Sequence, residues 1–99
     1  MQKTIAVYFM TNKKDGTLYV GSTNDLHRRI EEHKSLKADG FTKRYTLIDC
    51  VHFEICETVE QALRLERRYK KYNRQWKIDL IEKLNPDWQD LSYRLNELL

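Results

Sequence analysis

The sequence predicts a single α/β domain of the α+β kind, and three observations carry that expectation. Two short β-rich runs lie at 3–11 and 17–21, joined by Asn12-Lys13-Lys14-Asp15-Gly16, which is turn chemistry. A third β-rich run lies at 47–57, reading Leu-Ile-Asp-Cys-Val-His-Phe-Glu-Ile-Cys from Leu47 to Cys56. Apolar residues otherwise recur at helical spacing after Asp25, after Thr58 and again from Trp88. With 99 residues, 40% hydrophobic, 33% charged and one Pro, the chain is long enough for a small core and too apolar to be disordered.

The first run carries Ile5-Ala6-Val7-Tyr8-Phe9-Met10, apolar on both faces, as a mid-sheet strand requires. Gly16 is free to take a positive φ in the turn, and Tyr19-Val20-Gly21 returns antiparallel, bringing Tyr19 near Tyr8. Ser22-Thr23-Asn24-Asp25 supplies N-cap candidates for a helix whose inward stripe is Leu26, Arg29, Ile30 and His33. Leu26 and Ile30 are ordinary core. A guanidinium on that stripe needs anionic company, whereas Arg28 points away. A polar, basic loop at 35–45 leads into the third strand.

Thr58 caps a long helix with stripe Ala62, Leu65, Tyr69, Tyr72, Trp76 and Leu80, which Asn73 is placed to break in two. Asn85-Pro86 ends it, and a last amphipathic helix over about 87–98 is expected to pack on the body. Between Arg64 and Lys77 the bases Arg64, Arg67, Arg68, Lys70, Lys71, Arg74 and Lys77 stand against one acid, Glu66. Beside tyrosines such a block fits a polyanion, although a solvated helix face explains a charge run on its own.

Several function classes fall away. No apolar run approaches the ~20 residues of a membrane span, and no secretory leader is expected. Cys50 and Cys56 lack metal-ligand spacing and, on a strand, lie beyond disulfide reach, which fits reduced thiols in a cytoplasmic protein. There is no Ser-His-Asp order, no Gly-rich phosphate loop and no zinc pattern. Glu66 falls on the edge of its helix's apolar stripe, where a carboxylate needs a positive partner. Arg29 or Lys70 would serve as an ion pair. Alternatively a divalent cation would, since Mg²⁺ needs only one or two protein carboxylates. Tyr8 and Tyr19 read either as half-buried packing residues or as phenols, one of them a general base. His33 either bonds a tyrosine or a phosphate, or is a satisfied imidazole; His27 and His52 carry no pattern. Gly21 either ends its strand or lets a phosphate or backbone approach closely.

These residues resemble the GIY-YIG endonucleases, and most closely their small single-domain bacterial branch. The likeness runs through Ala6-Val7-Tyr8, ten residues, then Tyr19-Val20-Gly21, and on through the Leu26-to-His33 helix. It continues at Ala62-Leu63-Arg64-Leu65-Glu66 and ends at Asn85-Pro86-Asp87-Trp88. Ala6 stands where the family usually has Gly, a mild change on a strand. The resemblance implies one domain over 1–99, a three-stranded antiparallel sheet flanked by helices, and metal-dependent hydrolysis of DNA, in repair or recombination. It also implies Tyr19 as general base, Tyr8 as its hydrogen-bonded neighbour, Arg29 as stabiliser of the transition state, and His33 nearby. Glu66 becomes the ligand for Mg²⁺ or Mn²⁺, with Gly21 and Asn85 in support. Lacking an appended DNA-binding domain, the chain would take DNA, branched or damaged forms included, through Lys34, Lys43, Arg44, Arg67, Lys70, Lys71 and Arg74, or through a protein partner. Two rival readings remain: a non-catalytic nucleic-acid-binding module, and an interaction domain docking through its last helix.

Overall fold

The computed structural model describes residues 3–38 and 49–94. Three strands, β1 (Ala6–Thr11), β2 (Leu18–Thr23) and β3 (Asp49–Ile55), form an antiparallel sheet in the order β2-β1-β3. Helix α1 (Leu26–Ala38) follows β2, and α2 (Val59–Lys70) and α3 (Arg74–Leu84) follow β3. The architecture is the expected α+β one, and the run that is apolar on both faces occupies the centre. All six residues of β1 are buried.

Alternation along β1 divides the core. Ala6, Tyr8 and Met10 meet Leu26 and Ile30 of α1, with Cys50 beside them. Val7 and Phe9 face the other way, against Val20, Val51, Tyr69, Ile81 and Trp88. The sheet therefore carries α1 on one face and the α2–α3 pair on the other.

The β1–β2 turn differs in detail from the expectation. Asp15, not Gly16, takes the left-handed backbone, with φ of 59°, a region Asp tolerates better than most residues. Gly16 is needed for another reason: a Cβ there would collide with Asn12 Oδ1. That oxygen is already accepting the Thr17 amide at 3.0 Å. From α3, Arg74 Nη2 donates to the carbonyls of Asp15 and Gly16 at 2.6 and 2.7 Å, tying the turn to the second helical layer. Arg74 thus has a structural task.

Thr58 caps α2 by accepting the Gln61 amide, and Asn73 breaks the long helix by accepting the Trp76 amide at 2.9 Å. The break resets the helical phase. Tyr69 and Ile81 are buried, but Trp76, expected on the inward stripe, is 57% exposed. Tyr69 donates to Glu54 Oε2 at 2.7 Å, and His52 Nε2 lies 2.9 Å from the same oxygen. An ionised carboxylate only accepts, so His52 is a donor in this network.

Beyond α3 the chain departs from the expected helix over 87–98. Residues 86–87 form a turn and Trp88 has φ of 56°, so helix resumes only at 92–94; residues 95–99 lie outside the described ones. Asn85 accounts for the departure. It is buried, its Nδ2 donates to Val51 O and Gln89 O at 3.0 and 2.9 Å, and its Oδ1 accepts the Gln89 amide. Asn85 therefore supports the fold by stapling this turn to β3. Asp90 continues the seam, accepting from the Cys50 amide at 3.1 Å and from Lys34 Nζ of α1 at 2.7 Å. Cys50 and Cys56 are free and buried, as expected.

Two outcomes test this frame. Asn85→Ala strands a buried carbonyl and two other bonded groups, and should lower the unfolding free energy by about 2–3 kcal/mol in urea with little change in m-value. The second concerns acid. Glu54 is held below the ordinary carboxylate range chiefly by the His52 hydrogen bond, helped by Tyr69 against the opposing effect of burial. Burial raises Asp90 most strongly, yet the bonds from Lys34 and Ser92 and the Ser92 and Cys50 amides bring it below its ordinary value. The folded state therefore releases these protons more readily than the unfolded chain. Their stabilisation is complete above the unfolded carboxylate pKa and is lost as pH falls through the lower folded values. Urea titrations from neutral pH downward should show that loss, with a shallower slope in Glu54→Gln; equal slopes would contradict the assignment.

Candidate active site

The register pairs Tyr8 with Gly21 and Met10 with Tyr19, so the two tyrosines sit diagonally on one face of the sheet. Their ring centroids are 6.1 Å apart, tilted by 42°. His33 of α1 packs against both, 6.2 Å from Tyr8 nearly edge-on and 5.8 Å from Tyr19. Tyr8 is 1% exposed and Tyr19 42%, so one ring is core and the other opens to solvent.

Gly21 makes this packing feasible. A Cβ there would stand 2.7 Å from both Tyr19 Cε1 and the Tyr8 hydroxyl. What approaches this glycine closely is the pair of tyrosine rings, where the sequence suggested a phosphate or backbone.

Burial pushes the Tyr8 hydroxyl above the ordinary tyrosine range, and the neighbouring Tyr19, charged or hydrogen-bonded, pushes the same way; Arg29 opposes them more weakly. Tyr8 thus stays a phenol beside Tyr19.

Leu26 and Ile30 bury the centre of the α1 stripe, while Arg29 and His33 fall on its margin rather than deep inside. Arg29 Nη1 lies 3.5 Å from Glu32 Oε2 on its own helix. It also lines a cleft of about 250 Å³ with Ser22, Thr23, Asn24, Val59, Ala62 and Leu63. Arg28 points away as expected, between Asp25 and Glu32.

Glu66 arrives from α2, on the opposite side of the sheet. Alternation along β2 turns Ser22 toward that layer, and its Oγ donates to Glu66 Oε1. Oε2 accepts from Lys70 Nζ at 2.5 Å, so of the two bases weighed from sequence Lys70 is the partner. Burial alone would raise the Glu66 carboxyl, but the bonds from Lys70 and Ser22 outweigh it and hold the group below its ordinary value. Glu66 is therefore an anion within electrostatic reach of Tyr8. The site straddles the β2 edge: tyrosines, His33 and Arg29 on one side, Ser22 and Glu66 on the other. Ser22 was legible only as a cap candidate; its period-2 position facing α2 is the signal that marks it.

The remaining expected residues separate. Arg67 and Lys70 are exposed on α2, and Lys71 is exposed at its C-cap. Lys34 is paired with Asp90 at the C-terminal seam. Lys43 and Arg44 lie outside the described residues. Asn85 belongs to the β3 seam and not to this cluster.

Among the described residues no group of three or more His, Cys, Asp or Glu side chains is placed to enclose a metal ion. A zinc-like cage is thus not formed there. One ionised, half-buried carboxylate beside a serine hydroxyl fits a hard ion of the Mg²⁺ type, which completes its shell with water and phosphate oxygen. No helix among the described residues is long and apolar enough to cross a membrane.

For this sheet and tyrosine pair, comparison with known proteins gives the family. The model of the GIY-YIG catalytic domain matches residues 4–79, and the chain belongs to the GIY-YIG nuclease family. It is 35% identical over 74 residues to a UPF0213 protein of Haloquadratum walsbyi, spanning 75% of this chain and 83% of that one. A UPF0213 protein of Bacillus pumilus is 31% identical over 84 residues, 85% of this chain and 86% of its own. The solution NMR structure of a UPF0213 protein from Bacillus halodurans superimposes with a TM-score of 0.55 at 29% identity, covering 88% of this chain and 92% of that one.

Gly21→Ala forces its methyl against both rings. It should cost about 1–3 kcal/mol, as overpacking of a filled core does, and should alter the tyrosine near-ultraviolet circular dichroism. Unchanged stability and spectrum would show that the rings are not in contact with this position.

Proposed function

We propose that this protein is a metal-dependent endonuclease that hydrolyses DNA phosphodiester bonds, with repair or recombination in the cytoplasm as its setting and residues 1–99 acting as one domain. The observation that carries the reading is the asymmetric tyrosine pair: a solvent-open Tyr19 beside a buried Tyr8 that stays protonated, with Arg29 and ionised Glu66 at either side.

In this reading Tyr19, acting in its deprotonated form, takes the proton of the attacking water. The water oxygen bonds to phosphorus as the P–O bond to the leaving strand breaks, the departing oxygen gaining a proton from solvent. Tyr8 donates its hydrogen bond to the Tyr19 oxygen, favouring the state in which Tyr19 carries negative charge. His33 holds the two rings from α1 and, at the same margin, stands within reach of a phosphate. Arg29 meets the charge that gathers on the phosphoryl oxygens as the bond to water forms, an effect commonly worth about 3–4 kcal/mol of barrier. Glu66, with the Ser22 hydroxyl beside it, would hold Mg²⁺ or Mn²⁺, which when bound supplies Lewis-acid neutralisation of the phosphate. The exposed Arg67 and Lys70 of α2 and Lys71 at its C-cap neutralise the flanking backbone, and substrate choice, including branched or damaged DNA, rests on them, on residues 35–45 or on a protein partner.

A second reading, binding without cleavage, has one observation in its favour: both Glu66 oxygens are already taken by Ser22 and Lys70. Plasmid, flap and single-stranded DNA incubated with Mg²⁺ or Mn²⁺ decide between them. Cleavage is expected, falling about 10²- to 10⁴-fold in Tyr19→Phe and in Glu66→Gln, with low-salt DNA affinity nearly unchanged. Activity that persists in both variants contradicts the mechanism. Salt-dependent binding without cleavage under either metal selects the second reading.

A further inference from the structure

Glu66 is the carboxylate that a metal would need, and in the free protein it is engaged on both oxygens. Ser22 Oγ donates to Oε1, and Lys70 Nζ sits 2.5 Å from Oε2. Lys70 lies one turn further along α2, and its side chain is 53% exposed. It also lies within electrostatic reach of the Tyr19 side chain. The ammonium therefore stands beside the groups where a divalent cation would concentrate positive charge.

A divalent cation on this carboxylate would stand beside the Lys70 ammonium, and two like charges so close repel. An exposed i,i+4 ion pair is nevertheless weak, worth well under about 1 kcal/mol in most cases. Lysine ammonium is also a good phosphate binder, and Lys70 is flanked by the exposed bases Arg67 on α2 and Lys71 at its C-cap. An arriving DNA backbone thus offers Lys70 an alternative anion, and the same phosphate offers oxygen ligands to a metal ion.

We propose that Lys70 is a gate on Glu66: its ammonium occupies the carboxylate in the free protein and moves to a DNA phosphate on binding, so metal enters together with substrate. This inference rests on the reading of Glu66 as metal ligand. It resolves the tension between a carboxylate fit for Mg²⁺ and a carboxylate already paired. By linkage, DNA must then raise the affinity for metal by the same factor as metal raises the affinity for DNA. A protein of this kind binds the ion weakly until the bond to be cut is in place.

The test is Mn²⁺ binding to the full chain, followed by the electron paramagnetic resonance signal of free Mn²⁺, with no DNA present. Lys70→Met is expected to bind Mn²⁺ about five- to tenfold more tightly than the parent protein, since a like charge beside the ion is removed, while Glu66→Gln binds it more weakly. In a Tyr19→Phe background, which leaves Glu66 and Lys70 in place, a short oligonucleotide should raise Mn²⁺ affinity beyond what the oligonucleotide binds alone. That increment should shrink in Tyr19→Phe/Lys70→Met. Equal Mn²⁺ affinity in the parent and Lys70→Met, with Glu66→Gln weakened, overturns the gate and leaves Glu66 as ligand. An equal DNA-induced increment with and without Lys70 overturns it as well. Affinity unchanged in Glu66→Gln removes the metal assignment on which the gate depends.

Discussion

The site depends on one steric fact: two tyrosine rings from adjacent strands close over a backbone position with no Cβ. Tyr8 and Gly21 are cross-strand partners, and the space a side chain would occupy at Gly21 is filled by the Tyr8 hydroxyl and the edge of Tyr19. Tyr8 is then wholly buried, so its hydroxyl needs a protein partner, and Tyr19 stands beside it. Packing thereby produces a chemical asymmetry from two identical residue types. One phenol stays protonated in the core, and the other faces solvent.

The helices are placed around that pair by the ordinary hydrophobic core. Leu26 and Ile30 seat α1 on the tyrosine face and leave His33 against both rings, with Arg29 at the margin. Alternation along β2 turns Ser22 to the α2 layer, where it meets Glu66. Groups from opposite faces of the sheet thus converge around one strand. Arg74 pins the hairpin turn to α3, so the strand that carries Tyr19, Gly21 and Ser22 is held at its far end too.

Much of this was legible in the sequence where local chemistry decides. The run apolar on both faces announced the central strand, the hairpin turn brought the tyrosines together, and Asn73 announced the helix break. The membership of the site, Tyr8, Tyr19, Arg29, His33 and Glu66, came from family resemblance joined to residues ill-suited to a core. What stayed hidden depends on tertiary partners. Which base pairs with Glu66 is settled by the α2 backbone, and Asn85 reads as a supporting polar residue until Val51 appears opposite it. Trp88 breaks the last helix because Asn85 bonds Gln89 around it, and Trp76 is exposed because a new cap resets the phase of α3. Ser22 looked like a helix cap since its partner lies 44 residues away.

The central claim is that phosphate, metal and Tyr19 meet at the β2 edge. Paramagnetic broadening maps that place directly: Mn²⁺ is titrated into isotope-labelled protein in the presence of a short DNA strand, and amide signals are followed. The account predicts the strongest loss at Ser22, Thr23 and Glu66, with Asn85 and Val51 across the sheet affected least. Broadening centred instead on the acidic C-terminal turn at Asp87 and Asp90 would contradict it.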